Sequence, residues 1–364
     1  MMRGFVLNGE LVRVLNTYDQ EAVNEKSFHS NFRSVAENGI DFFFLPIYKN
    51  VNINRIKAKK AIKSFLRKWK TDHPDSVIII DVLKPYAEYI YRYCRALPVV
   101  SIVTDLPEHL YFGRSLKSSL RRQVKLYNFK KMISKSAAYI FLTEKMNLRL
   151  NRSGKPYVII EGLVDSEQNK QSEFTSTDKF VCLYSGALHA RYGIDTLVEA
   201  FTLPGMENIE LHLYGSGDYS NSIESIANKH GNIRYFGSVD NKTIVKRQMT
   251  ASLLINPRPI DAEFSAYSFP SKNMEYMLSG TPVLTTNLPG MPTEYKKYVY
   301  ILNAESPEKI ARKIVDIVEI SQEERATLGK KACDFISKNK NNIVQTRHIL
   351  DMIEKKLIQN DKYY

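Results

Sequence analysis

The 364-residue chain is long enough for two domains, and its apolar and charged fractions are those of an ordinary globular protein. Its three widely spaced cysteines argue against a disulfide framework and favour a reducing compartment, and no Cys-x-x-Cys or His-x-x-x-His grouping suggests a metal site. No apolar run approaches the ~20 residues of a membrane-spanning helix, and the first residues lack the apolar core of a signal peptide, so we expect a cytoplasmic protein.

In the first half of the chain, strands and helices are predicted to alternate. Residues 5–9 resemble a thin opening strand, and residues 9–40 favour helices over strands. Further strands are predicted at residues 41–48, 76–82, 99–104, 137–142 and 157–160, with helices at 55–70, 86–97, 114–131 and near 144–150. Such alternation is typical of a parallel sheet covered on both faces.

The second half repeats this pattern after residues 164–179, which are polar, carry no periodicity and are predicted to form a linker. Strands are predicted at residues 180–184, 209–214, 233–236, 251–257 and 281–286. Helices are predicted at residues 194–202 and 271–278, and from residue 307 to about 356 with a break near 339–342.

The net charge of +13 is concentrated in two segments of the first half. Residues 55–70 contain eight basic residues and no acid, and residues 114–131 contain seven and no acid. Apolar residues recur at helical spacing in both segments. They are Ile62, Phe65, Leu66 and Trp69 in the first, and Leu116, Leu120, Val124 and Tyr127 in the second.

These basic helices have three interpretations. The first is a solvated surface, which is what a run of charged residues usually forms. The second is binding of nucleic acid, which is disfavoured because no recognised binding module accompanies the helices. We favour an anionic membrane surface, because a basic face opposite apolar residues is typical of an interfacial helix. Alternatively, the apolar faces pack onto the sheet and leave only charge for the lipid.

Residues 251–290 are predicted to form a strand, a loop, a short helix and a second strand, which is the unit of a parallel α/β sheet. Ser271 is expected at the N-cap of the helix, where free N–H groups and a partial positive charge suit phosphate. Lys272 adds a cation at that end. Glu275 follows one turn later and could accept hydrogen bonds from two vicinal hydroxyls, such as those of ribose. The alternative is a capped surface helix with a solvated glutamate.

Glycines follow three predicted strands of the second half, at Gly186, Gly215 with Gly217, and Gly237. The carboxyl ends of parallel strands line the ligand crevice of an open sheet, and glycine lets the backbone approach a phosphate or a flat base. One such turn is common in βα units. Three of them beside the Ser271 helix predict a nucleotide crevice.

Residues 268–277 (SFPSKNMEYM) and 279–283 (SGTPV) resemble the donor-site signature of retaining GT-B glycosyltransferases of the group 1 type, the exopolysaccharide and capsule type. The resemblance implies an α/β fold of two Rossmann-like domains facing across a cleft, with a C-terminal helix crossing back to the first. We accordingly expect an acceptor-side domain at residues 1–165, a nucleotide-sugar domain at 176–340 and the returning helix at 341–364.

The resemblance also implies roles for single residues. The family's glutamate at the position of Glu275 binds the ribose of a nucleotide sugar. Tyr267 stands where many members carry a second glutamate near the donor sugar, and Glu263 is a candidate substitute. The expected donor-binding residues are Gly186, Ala187, Gly215, Gly237, Ser238, Arg258, Ser268, Pro270, Ser271 and Glu275.

Cleavage of a sugar–diphosphate bond leaves negative charge on the leaving group, which a metal-free site must offset with cations and N–H groups. No Asp-x-Asp pair stands where a metal-bound diphosphate would need one, so no metal and no other cofactor are expected. Asp105 and His109 end a strand and could orient an acceptor hydroxyl; alternatively, Asp105 caps a turn. The catalytic candidates are Asp105, His109, Arg191 and Lys272.

The implied function is bacterial-type transfer of a sugar, with retention, from a nucleotide diphosphate donor that we expect to be UDP-linked. The expected acceptor is a lipid-linked or other saccharide in cell-surface polysaccharide or glycoconjugate synthesis, at the inner face of the plasma membrane. A homo-oligomer or a partner transferase is left open. Two alternatives are a nucleotide-sugar epimerase on the same fold and a non-catalytic subunit that supports a partner transferase.

Overall fold

The computed structural model describes residues 1–16, 33–45, 51–84, 86–94, 97–106, 116–167, 179–261, 263–303 and 305–358. The chain divides into two compact units. One comprises Met1–Glu161 and Asn342–Tyr364, and the other comprises Gly162–Asn341.

The first unit contains two sheets. Its elements are, in order, α1 (Met2–Leu7), β1 (Val12–Asn16), β2 (Arg33–Glu37), β3 (Ile40–Phe44), α2 (Val51–Asp72), β4 (Ile78–Asp81), α3 (Ala87–Tyr93), β5 (Val99–Val103), α4 (Leu116–Ile133), β6 (Ala138–Phe141), α5 (Glu144–Leu150) and β7 (Tyr157–Ile159). Strands β4, β5, β6 and β7 are parallel neighbours in that order. In the other sheet, β3 lies between β1, which is parallel to it, and β2, which is antiparallel.

The beginning of the chain differs from its prediction. Residues 5–9 are not a strand, because α1 covers most of them, and residues 9–40 contain β1 and β2 where helices were favoured. The missed signal is Asn38-Gly39, whose positive φ values of 50° and 75° allow the tight turn of a β2–β3 hairpin. The predicted strand at 41–48 begins as β3, and residues 46–48 lie outside the described residues.

The second unit is built on one parallel sheet. Its elements are β8 (Phe180–Ser185), α6 (Ile194–Ala200), β9 (Ile209–Tyr214), α7 (Ser220–Ala227), β10 (Ile233–Tyr235), α8 (Asn241–Thr250), β11 (Leu253–Asn256), α9 (Ser271–Leu278), β12 (Val283–Thr286), β13 (Tyr300–Leu302), α10 (Pro307–Glu319) and α11 (Gln322–Asn339). The strand order is β10-β9-β8-β11-β12-β13, which is the order of a doubly wound Rossmann sheet. The predicted parallel α/β fold is confirmed.

The strand order of the second unit locates its crevice. From β8 the chain continues to β9 on one side, whereas β11 pairs on the other side, so the order reverses between β8 and β11. Ligands of open α/β sheets bind outside the carboxyl ends of the strands at such a point. The loops after β8 and β11 are therefore the natural walls of a binding site.

Two helices of this unit, α7 and α8, were not predicted. The predicted tail helix has its expected break after Asn339 and a further, unpredicted break after Glu319. Ser321 begins α11 by accepting a hydrogen bond from the Glu324 N–H at 3.2 Å. The spacing Ser-x-x-Glu is a capping-box pattern that marks a helix start. The sequence thus carried the signal for this break between α10 and α11.

The last helix, α12 (Asn342–Ile353), belongs to the first unit and packs on α1. The Asn8 side-chain amide donates to the Ile343 carbonyl and to the Thr346 hydroxyl, each at 2.9 Å. Part of the predicted linker at 164–179 is described, and Val164 there forms a β-bridge with Asn341; residues 168–178 lie outside the described residues.

The apolar face of α2 packs onto the sheet of its own unit. The Phe65 ring lies 5.3 Å from that of Phe43 and 5.6 Å from that of Trp69, and the Arg13 guanidinium lies 5.0 Å over the Trp69 ring. Leu66 is buried. These side chains are therefore not available for insertion into lipid, which corrects the interfacial arrangement expected for α2.

Helix α4 differs, because Val124 is 52% and Tyr127 is 64% exposed. Lys125, Lys130 and Lys131 are exposed beside them. None of the helices in the described parts of the chain is both long enough and apolar enough to cross a membrane.

Replacing Gly329 with alanine should destabilise the second unit. Alanine normally stabilises a helix interior by ~1 kcal/mol relative to glycine, but a Cβ here would collide with the Gly280 carbonyl just after α9. We expect a net loss of about 1–3 kcal/mol, measured as a lower Tm. Gly231→Ala is the control, because that glycine is exposed with open space around it. An unchanged Tm in Gly329→Ala would contradict the packing of α11 on α9.

Candidate functional site

Three of the predicted glycine turns meet at one edge of the second sheet. The Gly186 N–H donates to the Tyr214 carbonyl at 2.8 Å, and the Gly215 N–H donates to the Gly237 carbonyl at 2.7 Å. Gly215 has a φ of 128°, and a Cβ there would collide with the Gly186 carbonyl. Glycine is needed at Gly215 because the loops after β8 and β9 touch through their backbones.

Lys272 extends from the first turn of α9 to the loop after β8. Its Nζ donates to the Ser185 carbonyl, and a Cβ on Gly186 would collide with it. The ammonium lies 5.2 Å from the Tyr184 ring centroid and 5.5 Å from that of Tyr276. Burial lowers the pKa of Lys272, and the nearby Glu275 opposes that shift. A positive charge is therefore held at the reversal point of the sheet.

The N-cap of α9 is Pro270, not Ser271 as predicted. Ser271 is the exposed first residue of the helix, and no side chain caps it. Proline ahead of the first turn fixes the backbone but leaves the first N–H groups of the helix without a side-chain acceptor. Ser271 therefore lies within the first turn of the helix and not ahead of it. Its exposed hydroxyl can donate a hydrogen bond to an anion.

Glu275 lies one turn further along α9, as predicted, and its side chain is exposed. Its Oε1 accepts a hydrogen bond of 2.5 Å from the side-chain amide of Gln248, which also donates to the Ser185 hydroxyl at 3.1 Å. Gln248 is almost fully buried on α8. Sequence reasoning missed it because α8 was not predicted and a lone glutamine carries no motif.

Two arginines flank Tyr192, in the 3₁₀ turn (Ala190–Tyr192) that follows β8. The guanidinium carbon of Arg191 lies 4.9 Å from the Tyr192 ring centroid, and that of Arg258 lies 4.7 Å from it. Arg191 is exposed and donates to the Tyr192 hydroxyl at 3.2 Å. Burial lowers the pKa of Arg258. The structure thus brings both predicted arginines to one aromatic ring.

The remaining predicted donor residues surround this centre. Ala187 is exposed, and its carbonyl accepts a hydrogen bond of 3.0 Å from the Tyr184 hydroxyl. Ser238 is exposed in the loop after β10, Ser268 is half-buried, and Pro270 is buried ahead of α9.

The other two catalytic candidates, Asp105 and His109, belong to the first unit's part of the chain. Asp105 follows β5, and its Oδ1 accepts the Leu106 N–H at 2.7 Å. That contact favours the turn-capping alternative. His109 lies outside the described residues.

The second-unit arrangement suits an organic diphosphate joined to a diol. Lys272 and two arginines supply positive charge, and the glycine-lined loops allow close approach of backbone to a ligand. Glu275 presents a carboxylate that can accept hydrogen bonds from hydroxyls. In the described residues, no three His, Cys, Asp or Glu side chains are placed to hold a metal ion.

Comparison with known proteins points to enzymes that use such a ligand, the glycosyltransferases. Residues 165–335, just under half of the chain, match the family model described as glycosyl transferases group 1. No curated protein matches the sequence of this chain.

The fold resembles several solved structures along most of their length. Sucrose-phosphate synthase from Thermosynechococcus elongatus has a TM-score of 0.65 at 15% identity, covering 97% of this chain and 92% of that one. Anabaena HepE in complex with UDP has 0.64 at 14%, covering 94% and 92%. A glycosyltransferase from Rickettsia africae has 0.68 at 12%, covering 97% and 92%. These findings support a group 1 glycosyltransferase and confirm the GT-B fold class.

Replacing Lys272 with methionine should stabilise the protein in the absence of ligand. Burial lowers the folded pKa of Lys272 below its unfolded value, so the cost of the buried charge is fully present at neutral pH and is relieved as pH rises toward the unfolded pKa. We expect Tm at pH 7 to rise by about 2–4 °C, the equivalent of 1 kcal/mol, and the gain to shrink toward pH 10.

Lys246→Met is the matched control, because Lys246 is exposed on α8 in the same unit. Its Tm should follow the parent protein at every pH. A Tm of Lys272→Met that lies below the parent at pH 7 would show that the contacts of the ammonium outweigh its burial.

Proposed function

We propose that the protein transfers a sugar from a nucleotide diphosphate donor, UDP-linked, to a saccharide or lipid-linked acceptor, with retention at the anomeric carbon. The observation that carries this proposal is the pairing of Lys272 and Glu275 on one helix at the reversal point of the second sheet. One side chain offers a cation to a diphosphate, and the other offers an acceptor to ribose hydroxyls about one helical turn away.

The choice of UDP as the nucleotide is supported by the complexes of a structurally similar protein. HepE of Anabaena is described in complex with UDP, with UDP-glucose, and with UDP and glucose. In the present chain, the loop after β10 carries Phe236, which stacks on Tyr214 at 4.7 Å between ring centroids and remains 43% exposed. An exposed aromatic ring beside Gly237 and Ser238 gives a flat base a surface to contact.

The chemistry requires little beyond charge and position. The bond between the anomeric carbon and the diphosphate oxygen breaks, the acceptor hydroxyl oxygen bonds to that carbon, and its proton passes to the leaving diphosphate. Negative charge grows on the diphosphate as the bond breaks, and fixed cations aimed at it lower the barrier. Lys272, Arg258 and Arg191 take that role in the proposal, and no metal is assigned.

The proposed setting is the inner face of the plasma membrane, in the synthesis of a cell-surface polysaccharide or glycoconjugate. Its support is the basic surface of the first unit, and in particular the exposed Val124 and Tyr127 among the lysines of α4. A basic helix that exposes apolar side chains attracts anionic lipid by charge and area together.

Glu275→Ala should weaken the binding of UDP. A hydrogen bond to a charged group contributes about 1.5–3 kcal/mol, so the affinity measured by isothermal titration calorimetry should fall about 10-fold or more. Glu224→Ala is the control, since Glu224 is an exposed glutamate on α7 of the same unit. Equal UDP affinity in the two variants would remove the ribose contact from the proposal.

Reversing the charge of Lys125, Lys130 and Lys131 to glutamate should abolish co-sedimentation with phosphatidylglycerol vesicles. Each basic residue near an anionic surface contributes about 1 kcal/mol, so three reversals should lower the partition coefficient about 100-fold or more. The control reverses Lys330 and Lys331, exposed on α11 of the other unit. Retained sedimentation of the α4 variant would refute this helix as the membrane contact.

A further inference from the structure

Gln248 is a buried amide held between two walls of the crevice. It is 1% exposed, and its Nε2 donates to Glu275 Oε1 at 2.5 Å and to the Ser185 hydroxyl at 3.1 Å. The orientation of the amide follows from the chemistry of its partner, because a carboxylate only accepts hydrogen bonds. Both N–H bonds of the Gln248 amide are thus used, one toward β8 and one toward α9.

The position of Gln248 is itself fixed from both sides. The Thr281 hydroxyl donates to the Gln248 main-chain carbonyl at 2.7 Å. Ser185, the other partner of the amide, donates its N–H to the Tyr276 hydroxyl at 2.8 Å, and the two hydroxyls lie 3.2 Å apart. Hydrogen bonds among buried polar groups restrain the side chains that make them. The Gln248 amide therefore contacts Glu275 from a fixed position.

Glu275 is exposed, so the contact with Gln248 fixes a side chain that would otherwise sample many rotamers. A carboxylate offers about four lone-pair sites, and Gln248 occupies one of them. The remaining sites are left to accept hydrogen bonds from two vicinal hydroxyls of a ligand. Fixing the Glu275 side chain before the ligand binds increases affinity, because a side chain that is already ordered loses less conformational freedom on binding.

We propose that Gln248 is a positioning residue that orients the Glu275 carboxylate toward the two ribose hydroxyls of the donor nucleotide. The proposal rests on the function proposed above, in which Glu275 binds ribose. Gln248 thereby sets how strongly the site distinguishes a nucleotide with vicinal hydroxyls from one without them. It does so without touching the ligand.

The test compares the affinities of UDP and of 2′,3′-dideoxy-UDP in four proteins: the parent, Gln248→Met, Thr281→Val and Glu275→Ala. Methionine matches glutamine in length but cannot donate. Thr281→Val loosens the same buried region by deleting the hydroxyl contact, yet leaves the Gln248 amide in place. The readout is the dissociation constant of 2′,3′-dideoxy-UDP divided by that of UDP. A loss of folded protein raises both apparent constants by the same factor and so leaves this ratio unchanged.

We expect the parent and Thr281→Val to share one ratio, Gln248→Met to reduce it about 5-fold or more, and Glu275→Ala to bring it close to one. A parent-like ratio in Gln248→Met with a ratio near one in Glu275→Ala would overturn the role of Gln248 and leave the proposed function standing. A parent-like ratio in Glu275→Ala would instead overturn the ribose contact itself. If Gln248→Met does not fold, Gln248→Asn keeps the amide one methylene short of Glu275 and is expected to lower the ratio in the same way.

Discussion

A half-buried lysine ammonium connects the helix start and the strand end on which the second unit's site depends. Lys272 crosses from α9 to the loop after β8, donates to the Ser185 carbonyl and lies against two tyrosine rings. A charge removed from water destabilises a protein unless dipoles or counter-charges compensate it. Here a carbonyl and two aromatic faces compensate in part, and burial still lowers the pKa of the lysine. A site that holds an undercompensated cation before any ligand arrives is complementary to an anion.

The rest of the second unit follows from that arrangement. Gly186 has a φ of 142°, which residues with a Cβ rarely adopt, and a Cβ on Gly215 would collide with the Gly186 carbonyl of the neighbouring loop. The reversal of strand order between β8 and β11 opens the crevice at this point and at no other pair of neighbouring strands in the described sheet. Arg191 and Arg258 approach the same crevice from the loops after β8 and β11, and Tyr192 holds both guanidiniums.

The sequence predicted the parts of this picture that depend on local pattern. The β8 and β9 strands, helix α9 and the glycine turns were found, because buried parallel strands are continuous apolar runs and glycine marks their ends. The donor-site pattern at residues 268–283 pointed to Lys272 and Glu275, and the structure places both at the crevice.

What the sequence did not predict depends on distant contacts or on unrecognised local signals. Gln248 becomes important only through its contacts with Ser185 and Glu275, which lie 63 and 27 residues away. The apolar face of α2 looks the same in the sequence whether it meets lipid or a sheet, and only the packing of Phe65 and Trp69 on β1 and β3 decides. The Asn38-Gly39 hairpin, by contrast, was a local signal that could have been recognised.

The most direct test of the account is a structure of the protein with UDP bound. The account predicts the diphosphate within hydrogen-bond distance, about 3 Å, of Lys272 Nζ and the backbone of Gly186, with both ribose hydroxyls on the Glu275 carboxylate. UDP bound elsewhere, or bound here with its ribose turned away from Glu275, would contradict it.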